Sequence, residues 1–295
     1  MNTKLHSGWL GFALLTMVTW GVWGAFTGVP TEHGFPETLV YVVWSLTMIP
    51  PALLALRRVD WNLKRDGRSV ALGLAAGVLG AVGQMLLFYA VRQGPTYLIF
   101  PIISLSPVLT IALSFVLLRE RTGRLGLLGI VLALCSLPLF DYESGGAKSY
   151  GLWFLLALAV LVMWGLQAYV IKLANATMDA ESIFFWMALS AVLSIPIAFA
   201  MTDFSQPINY GAQGPWLAAA IQVLNSIGAL ALVFAFRHGK AIVVSPMVNA
   251  GAPLLTALIA MGVAGSMPGP TKLAGIGLAL LASLLLALQP EEAAT

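Results

Sequence analysis

The sequence predicts an all-α integral membrane protein, with ten transmembrane helices arranged as two inverted five-helix repeats. Three observations carry that expectation. The 295 residues are 59% hydrophobic and 9% charged, whereas soluble domains carry about 25% charged residues. Apolar runs of the length a helix needs to cross a bilayer, about 20 residues, follow one another with only short polar connections. And one stretch, Gly83–Pro107 (GQMLLFYAVRQGPTYLIFPIISLSP), returns altered as Gly228–Pro253 (GALALVFAFRHGKAIVVSPMVNAGAP).

Taken in order, the expected spans are Gly8–Val29, Thr38–Leu56, Val70–Val91, Pro95–Leu118, Leu125–Phe140, Gly151–Ile171, Ile183–Met201, Pro215–Phe236, Ala241–Ala264 and Leu273–Leu288. Backbone polar groups in lipid must be satisfied within the segment, so each run is a helix. Pro50 and Pro51 interrupt the second, and Pro196 the seventh. The first follows a basic start and imitates a signal peptide. It lacks a small-residue cleavage site and precedes many further spans, so it is read as an uncleaved helix.

The echo sets the organisation. At an offset of 145 residues Gly83 meets Gly228, Ala90 meets Ala235, Arg92 meets Arg237, Gly94 meets Gly239 and Pro101 meets Pro246. Near an offset of 144, Trp20-Gly21 matches Trp164-Gly165. The halves are expected at residues 1–143 and 144–295, joined through the polar stretch Asp141–Tyr150. Five spans per half is an odd number, so the second copy enters from the opposite side and the repeats are inverted. Loop charge gives the orientation. Twelve basic residues (Lys4, Arg57, Arg58, Lys64, Arg65, Arg68, Arg119, Arg121, Arg124, Lys172, Arg237 and Lys240) fall on the side of the termini, against three (Arg92, Lys148 and Lys272) on the other. The positive-inside rule then puts both termini in the cytoplasm.

Polar side chains within the spans are few and costly unless paired or facing a wet interior. Gln84, Gln167, Gln222, Asn225, Asn249, Ser104 and Ser106 form this set. It can line a substrate cavity or simply join helices. The substrate-binding candidates are Gln84, Ser104, Gln167, Asn225 and Asn249, with the aromatic Trp20, Trp23, Tyr89, Tyr97 and Trp164 as walls for a ring or an apolar face. The glycine faces Gly73-Gly77-Gly80, ending at Gln84, and Gly21-Gly24-Gly28 suit close helix approach; Gln84 is expected to be exposed where the helices part. Trp9, Trp61, Trp153 and Trp216 are placed in the interfacial belt. Arg92 and Arg237, in matched turns on opposite sides, are the gating candidates.

Other classes find little support. Cys135, the sole cysteine, excludes an intrachain disulfide and is expected to be a buried, inert thiol. No carboxylate falls mid-span to serve as a proton relay or to meet a strongly charged substrate. No HExxH, CxxC, P-loop or paired-carboxylate motif is present, so neither cofactor nor metal is expected. The net charge of +3 is too dispersed for nucleic acid. The expected partners are a small-molecule substrate and the lipid bilayer, and a homodimer is admitted.

Ten spans in two halves, the opening TWGVWG and the run SPVLTIALSFVLLRERTGRLGLLGIVLAL resemble the drug/metabolite transporter superfamily in its EamA-like branch. In that family the fourth helix of each repeat carries a proline, ends in a Glu-Arg turn and is followed by a glycine-bearing helix. Pro107, Glu120-Arg121 and Gly126 with Gly129 fit the first half. Pro253 and Gly275 with Gly277 fit the second, where the acidic turn is replaced by Gly265-Ser266-Met267. The resemblance implies a bacterial inner-membrane transporter working by alternating access, which exports an amino acid or a related neutral or zwitterionic compound. A sugar or drug carrier of the same fold, and a membrane enzyme acting on a lipid, are the alternatives.

Overall fold

The computed structural model describes residues 8–93, 103, 106–117, 119, 123–136, 139, 152–264 and 269–288. Among these residues the structure is all-helical, without a strand. Helix α1 (Gly8–Phe26) is followed by the single turn α2 (Val29–Glu32). Helices α3 (Glu37–Thr47) and α4 (Ile49–Arg58) form one broken rod, and α5 (Gly67–Gln93) runs for 27 residues, about 40 Å at the usual rise. Helices α6 (Ser106–Leu117) and α7 (Arg124–Ser136) complete the first half. In the second half α8 (Leu152–Ala174) precedes a second broken rod, α9 (Ala180–Leu193) with α10 (Ile195–Met201). A π turn (Ala212–Trp216) leads into α11 (Leu217–His238), then α12 (Ala241–Ala264) and α13 (Pro270–Leu288).

The prolines explain the two broken rods. The first break falls at Met48, with proline in the opening turn of α4, and the second at Ser194, with Pro196 opening α10. A proline in a first turn gives up an N–H that has no intrahelical partner anyway. The chain therefore restarts its helix one or two residues before each ring. Helix α9 starts on a side-chain cap, Asp179 accepting from the Ser182 N–H at 2.7 Å, the usual device for an orphaned first-turn donor.

Six helical segments are long and apolar enough to cross a membrane: Gly8–Glu32, Glu37–Arg58, Gly67–Leu87, Phe154–Ala174, Ala180–Met201 and Ala212–His238. Helices also stand at the remaining four expected positions. Large apolar side chains such as Leu54, Phe115, Val116 and Leu193 point outward. That is a surface for lipid rather than water.

Packing follows the sequence echo residue by residue. Helix α1 packs on α11 and α12, while α8 packs on α5 and α6. The first helix of each half thus lies against the other half. A methyl carbon added at Gly228 would sit 2.4 Å from Trp20 Cδ1, and one at Gly83 would sit 2.4 Å from Trp164 Nε1. The Thr256 hydroxyl donates to the Gly21 carbonyl at 2.9 Å, and the Thr110 hydroxyl to the Gly165 carbonyl at 3.1 Å. Added methyl carbons at those glycines would strike Leu255 Cβ and Leu109 Cβ, at 2.4 and 2.9 Å. Each of these contacts in one half has its counterpart in the other. Glycine is needed because an indole or a leucine already fills the space where Cβ would lie. The face Gly73-Gly77-Gly80 behaves likewise, meeting Trp186, Ser190 and Gln167.

Three expectations are corrected. Trp9 does not face outward as a belt residue would: it is 8% exposed and belongs to the central core cluster. Cys135 is exposed rather than buried, because its side of α7 is turned away from the packed helices. Gln84 is buried at 5% exposure, so the glycine face does not open at its end. Of the other interfacial tryptophans, Trp61 and Trp216 are exposed as expected, and the side chain of Trp153 lies outside the described residues.

Candidate functional site

The site is built where the broken rods leave space between them. A cavity of about 540 Å³ is bounded by the turn after α1, the start of α3, the last turns of α5, helix α10 and the segment after it. Its lining includes Thr31, Phe35, Glu37, Thr38, Tyr41, Met85, Tyr89, Ala198, Met201, Asp203 and Gln206. The volume lies within the range of about 300–1,000 Å³ usual for small-molecule pockets. Aromatic rings and methionines give it apolar walls, and two carboxylates and several hydroxyls give it polar points.

Each polar point is held by local structure. Glu37 stands in the first turn of α3, where the helix dipole favours an anion. Asp203 accepts from the Ser205 N–H at 3.0 Å and from its hydroxyl at 2.6 Å. Thr38 and Thr202 share a 2.7 Å hydrogen bond across the first and second halves. Asn209 donates from Nδ2 to the His33 carbonyl at 2.8 Å, and from its backbone N–H to the Gly34 carbonyl at 3.0 Å. Tyr41 is fully buried and donates to the Ala191 carbonyl at 3.1 Å. It thereby ties α3 to α9.

Two buried donors, neither of them in the cavity lining, have no hydrogen-bond partner among the described residues: Gln84 Nε2 and Trp44 Nε1. Gln84 precedes the lining residue Met85, and Trp44 follows Tyr41 by one turn, its ring centroid 5.3 Å from that of Tyr41. A buried donor left unpaired costs about 1–3 kcal/mol. It is a standing invitation to an acceptor.

The expected site residues divide between packing and cavity. Trp20 Nε1 donates to the Asn225 carbonyl at 3.2 Å, and Trp23 Nε1 to Gln222 Oε1 at 3.0 Å. Gln222 in turn donates to the Thr27 hydroxyl at 3.2 Å. Trp164 and Gln167 lie over Gly83 and Gly80. Asn225 is buried, and Asn249 donates to the Ser245 carbonyl of its own helix at 2.9 Å. Of this set Tyr89 lines the cavity. Tyr97 and Ser104 lie outside the described residues, as does the side chain of Arg92, which occupies the last turn of α5. Arg237 donates to the carbonyls of Asn175 and Met178. Sequence reasoning missed Tyr41 and Glu37 as lining residues, and Lys172 and Asn175 as partners at the other face. Among the described residues no group of three His, Cys, Asp or Glu side chains could hold a metal ion.

The profile of the EamA-like transporter family matches residues 7–140 and again residues 151–288. The chain belongs to the EamA-like transporter family. It is a membrane transporter rather than an enzyme, as the drug/metabolite transporter resemblance implied. The pseudopaline exporter CntI of Pseudomonas aeruginosa is similar, 28% identical over 197 residues, which cover 65% of this chain and 66% of that protein. An uncharacterised protein of Methanocaldococcus jannaschii is 27% identical over 131 residues, 44% of this chain but 94% of the relative. That relative is about the size of one half of this chain. A solved crystal structure shares the fold with a TM-score of 0.77 at 17% identity, covering 95% of this chain and 96% of the other.

Proposed function

We propose that this transporter exports a small neutral or zwitterionic metabolite of the amino-acid type across a bacterial inner membrane. Ten spans form two inverted halves, residues 1–143 and 144–295, with both termini in the cytoplasm. The halves rock about their shared contacts and expose the substrate to one face at a time. The observation that carries this reading is the pairing of equivalent contacts, Trp20 on Gly228 with Trp164 on Gly83, and Thr256 to Gly21 with Thr110 to Gly165. An equivalent pair of joints between two copies of one unit is what a rocking mechanism needs. A relative the size of one half supports the duplication, and the exporter relative supports the direction.

Substrate would enter beside Tyr89 and Met85, with Gln84 and Trp44 as donors for a carboxylate or carbonyl once helices shift to admit it. Trp20, Trp23, Trp164, Gln167, Asn225 and Asn249, with Tyr97 and Ser104, would line the path between the halves during that movement. Arg92 and Arg237 would each belong to the gate of their own face. The purified chain in proteoliposomes, screened for efflux of labelled amino acids, sugars and lipids, tests the reading. Saturable flux of an amino-acid-like solute supports it; conversion of a lipid without any solute flux would overturn it.

A further inference from the structure

The two faces of the molecule differ at positions that the repeat makes equivalent. On one face the C-terminal ends of α8 and α11 are tied by reciprocal capping. Lys172, in the last turn of α8, donates from Nζ to the carbonyls of Phe236 at 3.2 Å and Gly239 at 2.6 Å, at the end of α11. Arg237, in the last turn of α11, donates back to the carbonyls of Asn175 and Met178, just past the end of α8. Asn175 Nδ2 adds a bond to the Val233 carbonyl at 3.3 Å. Each cation thus satisfies orphaned carbonyls of the other helix, at the end where the helix dipole is negative. Charge-assisted bonds of this kind are the strong ones.

At an offset of 144 Lys172 falls on Gly28 and Asn175 on Thr31, while Arg237 has its counterpart in Arg92 at 145. The first half therefore keeps the arginine position and lacks the lysine and the amide. A methyl carbon added at Gly28 would meet nothing nearer than Glu32 Oε1 at 3.9 Å. Thr31 lines the 540 Å³ cavity. Where the second half has Lys172 and Asn175, the first half has a glycine and a cavity-lining threonine.

We infer that Lys172, Asn175 and Arg237 form a gate clamp whose lysine and amide the first half does not carry, so that without substrate the protein rests shut at Lys172 and open at Gly28. The inference rests on the alternating-access reading above. The bias is a property of the chain itself, because the restraint acts on one state and not on the other. Transport through the closed face then requires the two helix ends to part and both cations to release their carbonyls.

Labelling of reporter cysteines on the full chain in proteoliposomes tests this, in a Cys135→Ser background. Met178→Cys reports the clamp, where Met178 is 3% exposed, and Met201→Cys reports the cavity. Lys172→Met keeps most of the stem and removes the cation. It should raise maleimide labelling of Met178→Cys roughly tenfold, the shift one charge-assisted hydrogen bond commands, and lower labelling of Met201→Cys. Lys172→Arg should retain the wild-type rates, and Gly28→Lys should slow labelling at the cavity. Unchanged rates in Lys172→Met, or rates that rise together at both reporters, would overturn the clamp. Solute flux is read separately. A reciprocal labelling shift without flux upholds the clamp and removes the transport reading; flux without the shift removes the clamp alone.

Discussion

Replacing Gly228 by alanine would put a methyl carbon 2.4 Å from Trp20 Cδ1, 2.5 Å from its Nε1 and 2.6 Å from the Thr19 hydroxyl. Normal carbon contacts begin near 3.5 Å, so something must move by about 1 Å. The Trp20 ring cannot swing freely, because Nε1 is bonded to the Asn225 carbonyl. Overpacking of this kind costs about 1–3 kcal/mol, against which alanine returns about 1 kcal/mol of helix propensity. A net loss of up to about 2 kcal/mol is expected. Gly83→Ala should lose a similar amount, since its methyl would meet Trp164 at 2.4 and 2.7 Å. Gly80→Ala supplies the contrast. Its added carbon is 2.2 Å from Gln167 Nε2, but that atom is the tip of a flexible side chain and can turn away at little cost. Gly11→Ala meets nothing and should be neutral or stabilising. Thermal unfolding of the four purified variants in one detergent checks the order. Gly228→Ala and Gly83→Ala as stable as Gly80→Ala would refute the packing argument, and a large difference between the first two would refute their equivalence.

Further outcomes follow from single contacts. Thr256→Val keeps the shape and removes the bond to Gly21, and Thr110→Val does the same at Gly165; each should cost about 0.6 kcal/mol, the average for such bonds between membrane helices, measured by the same melts. Gln222→Leu breaks the bridge from Trp23 to Thr27 and leaves an indole N–H unpaired, a loss of about 1–3 kcal/mol that Trp23→Phe in the same chain should partly relieve. Cys135 is exposed, so the folded protein should take up one equivalent of a membrane-permeant maleimide without unfolding; modification that waits for denaturant would contradict its placement on α7.

Much of this was legible in the sequence. Helix positions, both broken rods and the glycine faces follow from hydropathy, proline and spacing. The match of Trp20-Gly21 to Trp164-Gly165 and the Gly83–Gly228 echo mark the residues as equivalent, but not that each indole lies on the glycine of the other half. What stayed hidden has a common physical cause. The acceptors of Lys172 and Arg237 are backbone carbonyls, which every residue owns and no pattern marks, so Lys172 counted in sequence only as loop charge. Trp9 lies near a span end in sequence, but its direction around the helix is set by α11, whose Gly239 receives it. The bond from Trp23 to Gln222 joins α1 to α11, two helices far apart in sequence, and no spacing marks such a pair. The cavity depends on where two proline-broken rods diverge, and periodicity carries no information on that angle.

The inverted relation of the halves is tested most directly at Glu32 and Ala176, which are equivalent at an offset of 144 and both exposed. Each is replaced by cysteine in turn in the Cys135→Ser chain, and sealed vesicles of known orientation are treated with a membrane-impermeant maleimide. Labelling of Glu32→Cys from one face and of Ala176→Cys from the other is the expected result. Labelling of both from the same face would contradict the architecture on which the transport reading stands.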